Sequence, residues 1–566
     1  MKKIYTLISG LILAGGLSAQ TTVNINDNSL QGNQTYNWTK NNVYLIEGLT
    51  FLEEGGILNI EAGTVVKFTQ PIAGSTSALV IARGAKINAI GTADEPIIFT
   101  SELDDVNDAT DLGPDDVQLW AGLVILGKAT TEKAGEFEVN IEGIPSTEPR
   151  GKYGAIGNNP ANFDDNDNSG ELKYVSIRHT GFGLASGSEL QGLTLGGVGR
   201  GTKLSYVDIY ASSDDGVELF GGTVDLKYFS VAFAEDDSYD FDENWKGKAQ
   251  FLFSIQRADV ADTGYEYDGS TPDDTQGYTD GTFYNFTHIG SGVGASAANP
   301  VGMNIRAGGV IKARNGIMVD MKGKGVEIQD KAGNTTTDSY SRFLAGNTKF
   351  ENNIFHNIGS ATTLDGSSTG IVKVTSNADN AGAVDFSNHL ALTNVIANPG
   401  IASISRVQDG MLNPTPSATG AAYNNLATYP AGDNFFTPVA FKGAFPADPT
   451  KCFIAGWSTL AKNGHLSNTL SWTGDLFTNV NEFNNVLSTL NIYPNPSNGV
   501  VNFAYAAENK INIEIYNLNG QLVKSVSNGK EGVNVETVTV SDLTSGLYLV
   551  RFTDGNNAYS TKLIIE

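Results

Sequence analysis

Cysteine is almost missing from this chain: Cys452 is the only one in 566 residues, so no internal disulfide can form. Stability must therefore come from packing. No His arrangement accompanies Cys452, which favours a buried thiol over a nucleophile. Basic residues are scarce as well, 36 Lys and Arg against 62 Asp and Glu, for a net charge of −26 and a pI near 4.5. Such a surface repels phosphate backbones and anionic lipid, which excludes nucleic acid as a partner. Long apolar runs are missing beyond residue 20, and nothing approaches the roughly 20 residues that span a bilayer, so no transmembrane segment is expected. The first 20 residues read as a secretory signal peptide. Lys2 and Lys3 form its charged start, Ile4 to Leu17 its mostly apolar middle, and Leu17-Ser18-Ala19 its small-residue cleavage site. No Cys follows the cut, so no lipid anchor is expected.

What the chain does have is 40% hydrophobic residues, enough for a real core, and 65 glycines that punctuate short strands. Ile57-Leu58-Asn59-Ile60, Val65-Val66-Lys67-Phe68, Ala78 to Ile81, Lys86 to Ile90 and Ile97 to Thr100 are each too short for a helix. Turn residues separate them every eight to twelve positions or so. One phrase recurs: Leu172-Lys-Tyr-Val-Ser-Ile177, Leu204-Ser-Tyr-Val-Asp-Ile209, Leu226-Lys-Tyr-Phe-Ser-Val231 and a looser Gln250-Phe-Leu-Phe-Ser-Ile255, at intervals of 32, 22 and 24. Spacing in the low twenties suits one coil of a parallel β solenoid with three strands per turn. The interval of 32 is assigned an inserted loop in the glycine-rich residues 181–201. A two-sheet sandwich is the rival, but it favours antiparallel hairpins over like stacked on like. The expected order is a signal peptide at 1–20, a parallel β-helix at 21–479, a linker at 480–489 and a small immunoglobulin-like β-sandwich at 490–566. Within the helix, the irregular stretch with Phe435, Phe436 and Trp457 is read as a cap over the open solenoid end.

Leu58-Asn-Ile-Glu-Ala-Gly-Thr-Val-Val-Lys-Phe68 followed by Ile87-Asn-Ala-Ile-Gly-Thr-Ala-Asp-Glu-Pro-Ile-Ile-Phe-Thr100 resembles the beginnings of exported right-handed parallel β-helix proteins of bacteria. The resemblance implies that architecture, which carries lyases, hydrolases, adhesins and inert stalks alike. At the other end, alternation at Ile511, Ile513 and Ile515 gives half-buried strands, and Asn519-Gly520 is a hairpin turn. The module is similar to the type A C-terminal sorting domain of the type IX secretion system of Gram-negative gliding and oral bacteria. Pro494, Asn495, Pro496 and Gly499 match its opening motif, Gly520 its central turn, Gly546, Leu547 and Tyr548 its late strand, and Lys562 its closing basic position. That likeness implies recognition by the secretion translocon and sorting machinery, then delivery to the outer-membrane surface or the extracellular medium. An ordinary immunoglobulin-like binding module is the alternative.

Ten acids crowd between 214 and 243, Asp214, Asp215, Glu218, Asp225, Glu235, Asp236, Asp237, Asp240, Asp242 and Glu243, with Lys227 alone among them. Asp214-Asp215 and Asp236-Asp237 each follow a repeated strand, 22 positions apart, so a solenoid would stack them at one corner. Asp214, Asp215, Asp236, Asp237, Asp240 and Asp242 are the candidate Ca²⁺ ligands, since that ion takes six to eight oxygens; a solvated acidic face is the plain alternative. Asp164, Asn166 and Asn168 alternate like a calcium loop, although Val175 stands where an EF-hand needs Glu. Ser213-Asp214-Asp215-Gly216 resembles the paired-aspartate step of polygalacturonase-type β-helix hydrolases, with Asp214, Asp215, Asp236 and Asp237 as candidate catalytic carboxylates. That family's Asn-Thr-Asp, Gly-His-Gly and Arg-Ile-Lys signatures are missing here. A lyase would need Ca²⁺ and a base, for which Arg178, Lys246 and Lys248 are the candidates. The five His show no metal-ligand spacing. The leading expectation is a secreted or surface-displayed protein that binds, as an adhesin or glycan-contacting stalk, with Tyr239, Phe241 and Trp245 packing a loop or stacking on sugar rings. The alternative is a polysaccharide lyase or glycoside hydrolase.

Overall fold

The computed structural model describes residues 20–72, 75–183, 189–269, 277–298, 300–331, 336–367, 369–375, 381–474, 489–507, 510–517, 521–526, 532–553 and 558–566. The signal segment through residue 19, most of the expected linker (480–488) and Gly520 lie outside them. The chain divides into two units, Met1–Gly474 and Asp475–Glu566.

In the first unit, alternation puts one side chain of every pair inward, and each inward residue lands on its counterpart one coil away. Trp38, Ile60, Ala89, Leu172, Leu204, Leu226 and Ala249 form one such column. Leu52, Ile81, Ile125, Leu195, Leu219, Phe241, Tyr267, Ile305, Ile328 and Val374 form another. Every one of these pairings is parallel, so the unit is a parallel β-helix with three strands per coil. Each buried aliphatic or aromatic side chain contributes about 1.5–3 kcal/mol of transfer free energy. Two faces of the coil share one continuous sheet, because Gly170–Thr180, Lys203–Ser212, Leu226–Ala232 and Lys248–Ile255 run round the corner between them. The bend falls on residues with positive φ: Tyr174, Tyr206, Tyr228 and Phe251, then Asn285, Asn315 and Asn352 in later coils. Asn tolerates this left-handed conformation and an aromatic does not. The aromatic rings offset that strain by stacking at centroid spacings of 4.4, 4.5 and 4.9 Å.

Three expectations need correction. The fourth copy of the repeated phrase is one residue out of step: Leu226 pairs with Ala249 and Phe229 with Leu252, an interval of 23. The glycine-rich stretch is not wholly an inserted loop, since Leu193–Gly196 within it is a rung of the third face. The aromatic segment does not sit on the solenoid's end. Residues 399–474 run back along the outside of the continuous sheet as a strap. Arg406 donates to Gln256 O and the Asp320 carboxylate, and Asn315 donates to Ala427 O. The Phe435 carbonyl accepts from Lys227, the Thr459 amide and hydroxyl donate to Asp208, and Trp472 donates to Tyr174. Cys452 and Trp457, within the strap, are fully buried. The last coils instead pack against Ser339–Leu344 and Ala381–Leu390, through Phe343, Phe350 and Phe386.

The second unit is antiparallel. A three-stranded sheet (Thr489–Tyr493, Val500–Ala507, Gly532–Thr539) and a four-stranded sheet (Leu522–Val526, Asn512–Tyr516, Gly546–Thr553, Ala558–Ile565) enclose Val501, Phe503, Ile513, Ile515, Tyr548, Phe552 and Leu563.

Candidate functional site

The third face carries the acidic cluster. Its outward positions form a column that reads Phe51, Val80, Val124, Thr194, Glu218, Asp240, Glu266, Asn304, Glu327 and Lys373. The column is apolar, then acidic, then mixed. Residues 127–168, an excursion between Leu123–Leu126 and Gly170, explain the apolar part. Their hairpin, Glu138–Asn140 with Lys152–Gly154, brings Val139, Ile141, Ile144 and Tyr153 down onto Phe51, Val80, Val124 and Leu126. Where the excursion stops, the acids begin.

At the corner leading into this face, Asp215 and Asp237 stack in successive coils. Asp215 Oδ1 accepts from the Asp237 amide at 2.9 Å, and Asp237 Oδ1 accepts from the Thr263 amide at 2.6 Å. Asp214, Asp236 and Asp262 flank them. Carboxylate oxygens of Asp214, Asp215 and Asp236 lie within 4.8 Å of one another; so do those of Asp215, Glu218 and Asp240, and of Asp236, Asp237 and Asp262. Asp215, Glu218, Asp237 and Glu266 are all buried, and the buried Asp240 Oδ1 has no hydrogen-bond partner among the described residues. Burial, then the neighbouring negative charges, hold these carboxyls up: Asp215, Glu218, Asp237, Asp240 and Asp242 stand well above the usual range. Asp214 is pushed up to about 7 by burial and by Asp236, Glu189 and Glu142. Glu266 is also pushed up to about 7, by burial and then by Asp268.

Five of the six expected metal ligands, Asp214, Asp215, Asp236, Asp237 and Asp240, are thus brought together, while Asp242 lies one outward position further along its strand beside Asp268. Asp225 and Glu235 stand elsewhere: Asp225 caps the Lys248 amide and Glu235 pairs with Arg257. Glu243 accepts from Tyr153 and Thr131 of the excursion and pairs with Lys133. Lys227 does not offset the acids, because it points to the strap. The cation that does is Arg306, two coils further on, 2.5 Å from both Glu266 Oε2 and Asp268 Oδ1. Glu266, Asp268, Asp262 and Arg306 were missed in the sequence, although Tyr265-Glu-Tyr-Asp268 echoes Tyr239-Asp-Phe-Asp242 and signals another rung.

The other expected roles fall away. Tyr239, Phe241 and Trp245 are fully buried inside the coil, Tyr239 stacked on Tyr265 at 5.2 Å and Phe241 on Tyr267 at 4.8 Å, so none faces a sugar. Arg178 is buried against Asp104 beneath the strap, Lys246 lies over the Tyr278 ring and Lys248 pairs with Asp433, so none of the three candidate bases reaches the acids. Asp164 and Asn168 are each spent on a backbone amide two residues along. His179 is buried with Nδ1 2.6 Å from Asp116 O, as suits a structural residue. Burial pushes the Cys452 thiol up to about 12, which leaves it unreactive.

In the sorting module the matched residues divide by task. Asn495 donates to Lys562 O at 3.1 Å and accepts from the Ile564 amide at 2.9 Å, tying the opening motif to the last strand. Tyr548 is buried and its hydroxyl donates to Thr544 O. Pro494, Pro496, Gly546, Leu547 and Lys562 are exposed, and Gly499 is half-buried.

A coil of parallel rungs with an acidic outer column, joined to a separate antiparallel sandwich, defines a β-helix protein with an export module. Residues 31–392 match the family described as the pectate-lyase-like β-helix domain, and residues 491–566 match the secretion system C-terminal sorting domain. The chain belongs to the pectate-lyase-like β-helix family and carries a type IX sorting tail, which directs it through the secretion machinery to the cell surface or the extracellular space. No curated protein matches the sequence. Among solved structures, the enzymatically active domain of bacteriophage CBA120 tailspike protein 2 is similar at 9% identity and a TM-score of 0.26, over 94% of this chain and 72% of that one. The full-length tailspike protein 2 from an Escherichia coli O157:H7 bacteriophage is similar at 9% identity and a TM-score of 0.21, over 94% of this chain and 64% of that one. No helix among the described residues is long and apolar enough to cross a membrane.

Proposed function

We propose that the protein is an extracellular glycan-contacting adhesin whose acidic trough holds Ca²⁺ and uses it to meet acidic saccharides. One observation carries this reading: the buried Asp240 Oδ1 has no donor among the described residues, and a carboxylate oxygen of Asp240 lies within 4.8 Å of oxygens of Asp215 and Glu218. A desolvated carboxylate among like charges needs either a proton or a cation, and hard oxygens at several points match Ca²⁺. A bound Ca²⁺ would keep coordination positions open on the solvent side, where a carboxylated sugar supplies oxygens that the protein does not. The test is titration of EDTA-stripped protein with Ca²⁺, followed by binding to oligogalacturonate with and without the ion. Ca²⁺-dependent binding supports the proposal; an unchanged melting temperature on Ca²⁺ addition ends it.

A hydrolase is the second reading, favoured by Asp214 and Glu266, whose carboxyls titrate near neutrality as a general acid must. New reducing ends from a polysaccharide panel, abolished in Asp215→Asn, would replace binding by turnover. A lyase fits less well: Arg306, the guanidinium beside the acids, is held firmly protonated by Asp268 and Glu266 and cannot serve as a base.

A further inference from the structure

Beyond the acids, the same face changes sign. Its last described rungs are Val326–Gln329 and Val372–Thr375, and beside them lies a pocket of about 310 Å³ whose lining includes Val301 and Ile358. Lys322, Lys324 and Lys373 line it together with a single acid, Glu327. In a chain of net charge −26, three ammonium groups around one hollow are a local reversal of the field, and a pocket focuses that field on whatever enters.

The lysines are held in place. Lys324 Nζ donates to Gly370 O at 2.6 Å and Ser367 O at 3.3 Å, which fixes the loop forming one wall. Lys322 Nζ donates to Ala297 O at 2.5 Å. Lys373 Nζ sits 2.9 Å from both Glu327 oxygens, so this pair neutralises itself and leaves Lys322 and Lys324 as the remaining charge of the lining, with Asp365 acting on Lys324 from behind Gly370. An ammonium has three protons, and the carbonyl contacts leave part of that capacity for a guest. Burial lowers the Lys324 pKa, the nearby Asp365 opposes that shift and Lys373 adds to it, so a bound anion would offset the desolvation of this ammonium.

We infer that this pocket is an oxyanion subsite, taking one carboxylate, sulfate or phosphate group, and that it is distinct from the acidic trough. It does not depend on the Ca²⁺ proposal. Three rungs separate Asp240 from Glu327, which at about 4.8 Å per rung is roughly 15 Å, so one acidic chain could touch both while each site keeps its own chemistry.

The experiment is calorimetric titration of the full mature chain with sodium sulfate, sodium phosphate and trigalacturonate, each at low and at raised NaCl, in EDTA. At least one probe should bind, weaken with salt, and lose at least tenfold in affinity in Lys324→Met and in Lys322→Met, with Lys324→Arg retaining most of it. Asp240→Asn should leave this EDTA-resistant binding unchanged. Trigalacturonate binding well above the two inorganic ions identifies a saccharide acid; equal binding identifies a free oxyanion. Because Lys324 also holds the wall loop, Lys322, whose carbonyl contact is to Ala297 and not to that loop, provides the second variant. No binding of any probe, or full binding by both Met variants, overturns the inference. If Ca²⁺-dependent binding survives that result, the trough proposal stands alone; if only EDTA-resistant binding is seen, the pocket stands without the trough.

Discussion

The crowded carboxylates make the metal-free protein's stability run against the usual dependence on pH. Two charges 4.8 Å apart repel by about 3.5 kcal/mol at an effective dielectric of 20, and each triad contains three such pairs. Burial first, then the neighbouring charges, raise Asp214 from the ordinary 3.8 to about 7, and burial with Asp268 raises Glu266 from 4.5 to about 7, so the fold takes up protons. A folded-state pKa raised above the unfolded value means that the folded chain binds more protons, so stability falls as pH climbs through that window. At about 1.4 kcal/mol per pH unit, the rise to about 7 corresponds to ceilings of about 4 kcal/mol for Asp214 and about 3 kcal/mol for Glu266. For these two groups the loss runs from about pH 4 to about pH 7, and Asp215, Glu218, Asp237, Asp240 and Asp242, held well above the usual range, act in the same direction. Carboxylates held low by hydrogen bonds to Arg, such as Glu148 and Asp259, act in the opposite sense but only near pH 4 and below. In EDTA, therefore, the melting temperature should rise by several degrees on going from pH 8 to pH 5.5. Ca²⁺ at about a hundred times its dissociation constant should restore about 2.7 kcal/mol at pH 8 and flatten the profile. Differential scanning calorimetry of the EDTA-stripped protein across that range is the assay. A melting temperature that is flat, or that increases with pH, refutes the electrostatic reasoning; a steep profile that Ca²⁺ does not flatten leaves the repulsion intact and removes the ion.

Asp240→Asn should raise the metal-free melting temperature at pH 8, because it deletes a charge facing Asp215 and Glu218, and should abolish the response to Ca²⁺ measured in the same scans. Asp208→Ala removes the acceptor for the Thr459 amide, the Thr459 hydroxyl and Ser176; a cost of about 3 kcal/mol is expected, with cleavage of the strap in limited proteolysis before the coil itself is attacked. Tyr548→Ala should cost the sorting module about 3–5 kcal/mol, and Asn495→Ala about 1–2 kcal/mol. Cell fractionation should then show Tyr548→Ala held inside the outer membrane, whereas an exposed position such as Val535 should tolerate replacement.

The coil was legible because it obeys a period. Leu172, Leu204 and Leu226 announce stacking of like on like, and the structure places them in one column. The one-residue error at Gln250 arose where the pattern gives out: beneath the strap both sides of the strand are covered, so Phe253, which packs outward on Phe445, reads as inward as its neighbours do. Asp214 and Asp236 were likewise found by their interval of 22, whereas Asp262 was not, because the next coil is longer. What spacing cannot reveal is which stretch folds back over the outside. The excursion at 127–168 and the strap at 399–474 carry no periodicity, and their own hydrophobic residues gave no indication of which face they would cover. That missing information is what decides the site. The outward column is the same structural position from Phe51 to Lys373: it is apolar where the hairpin is laid over it and polar or charged beyond. Acids left uncovered next to a greasy hairpin, with Glu243 gripped by Tyr153 and Thr131 of that hairpin, are desolvated from one side and open on the other. This arrangement raises their pKa values while still admitting a cation, and it follows from the excursion ending at that coil and not from any feature of the acidic sequence itself.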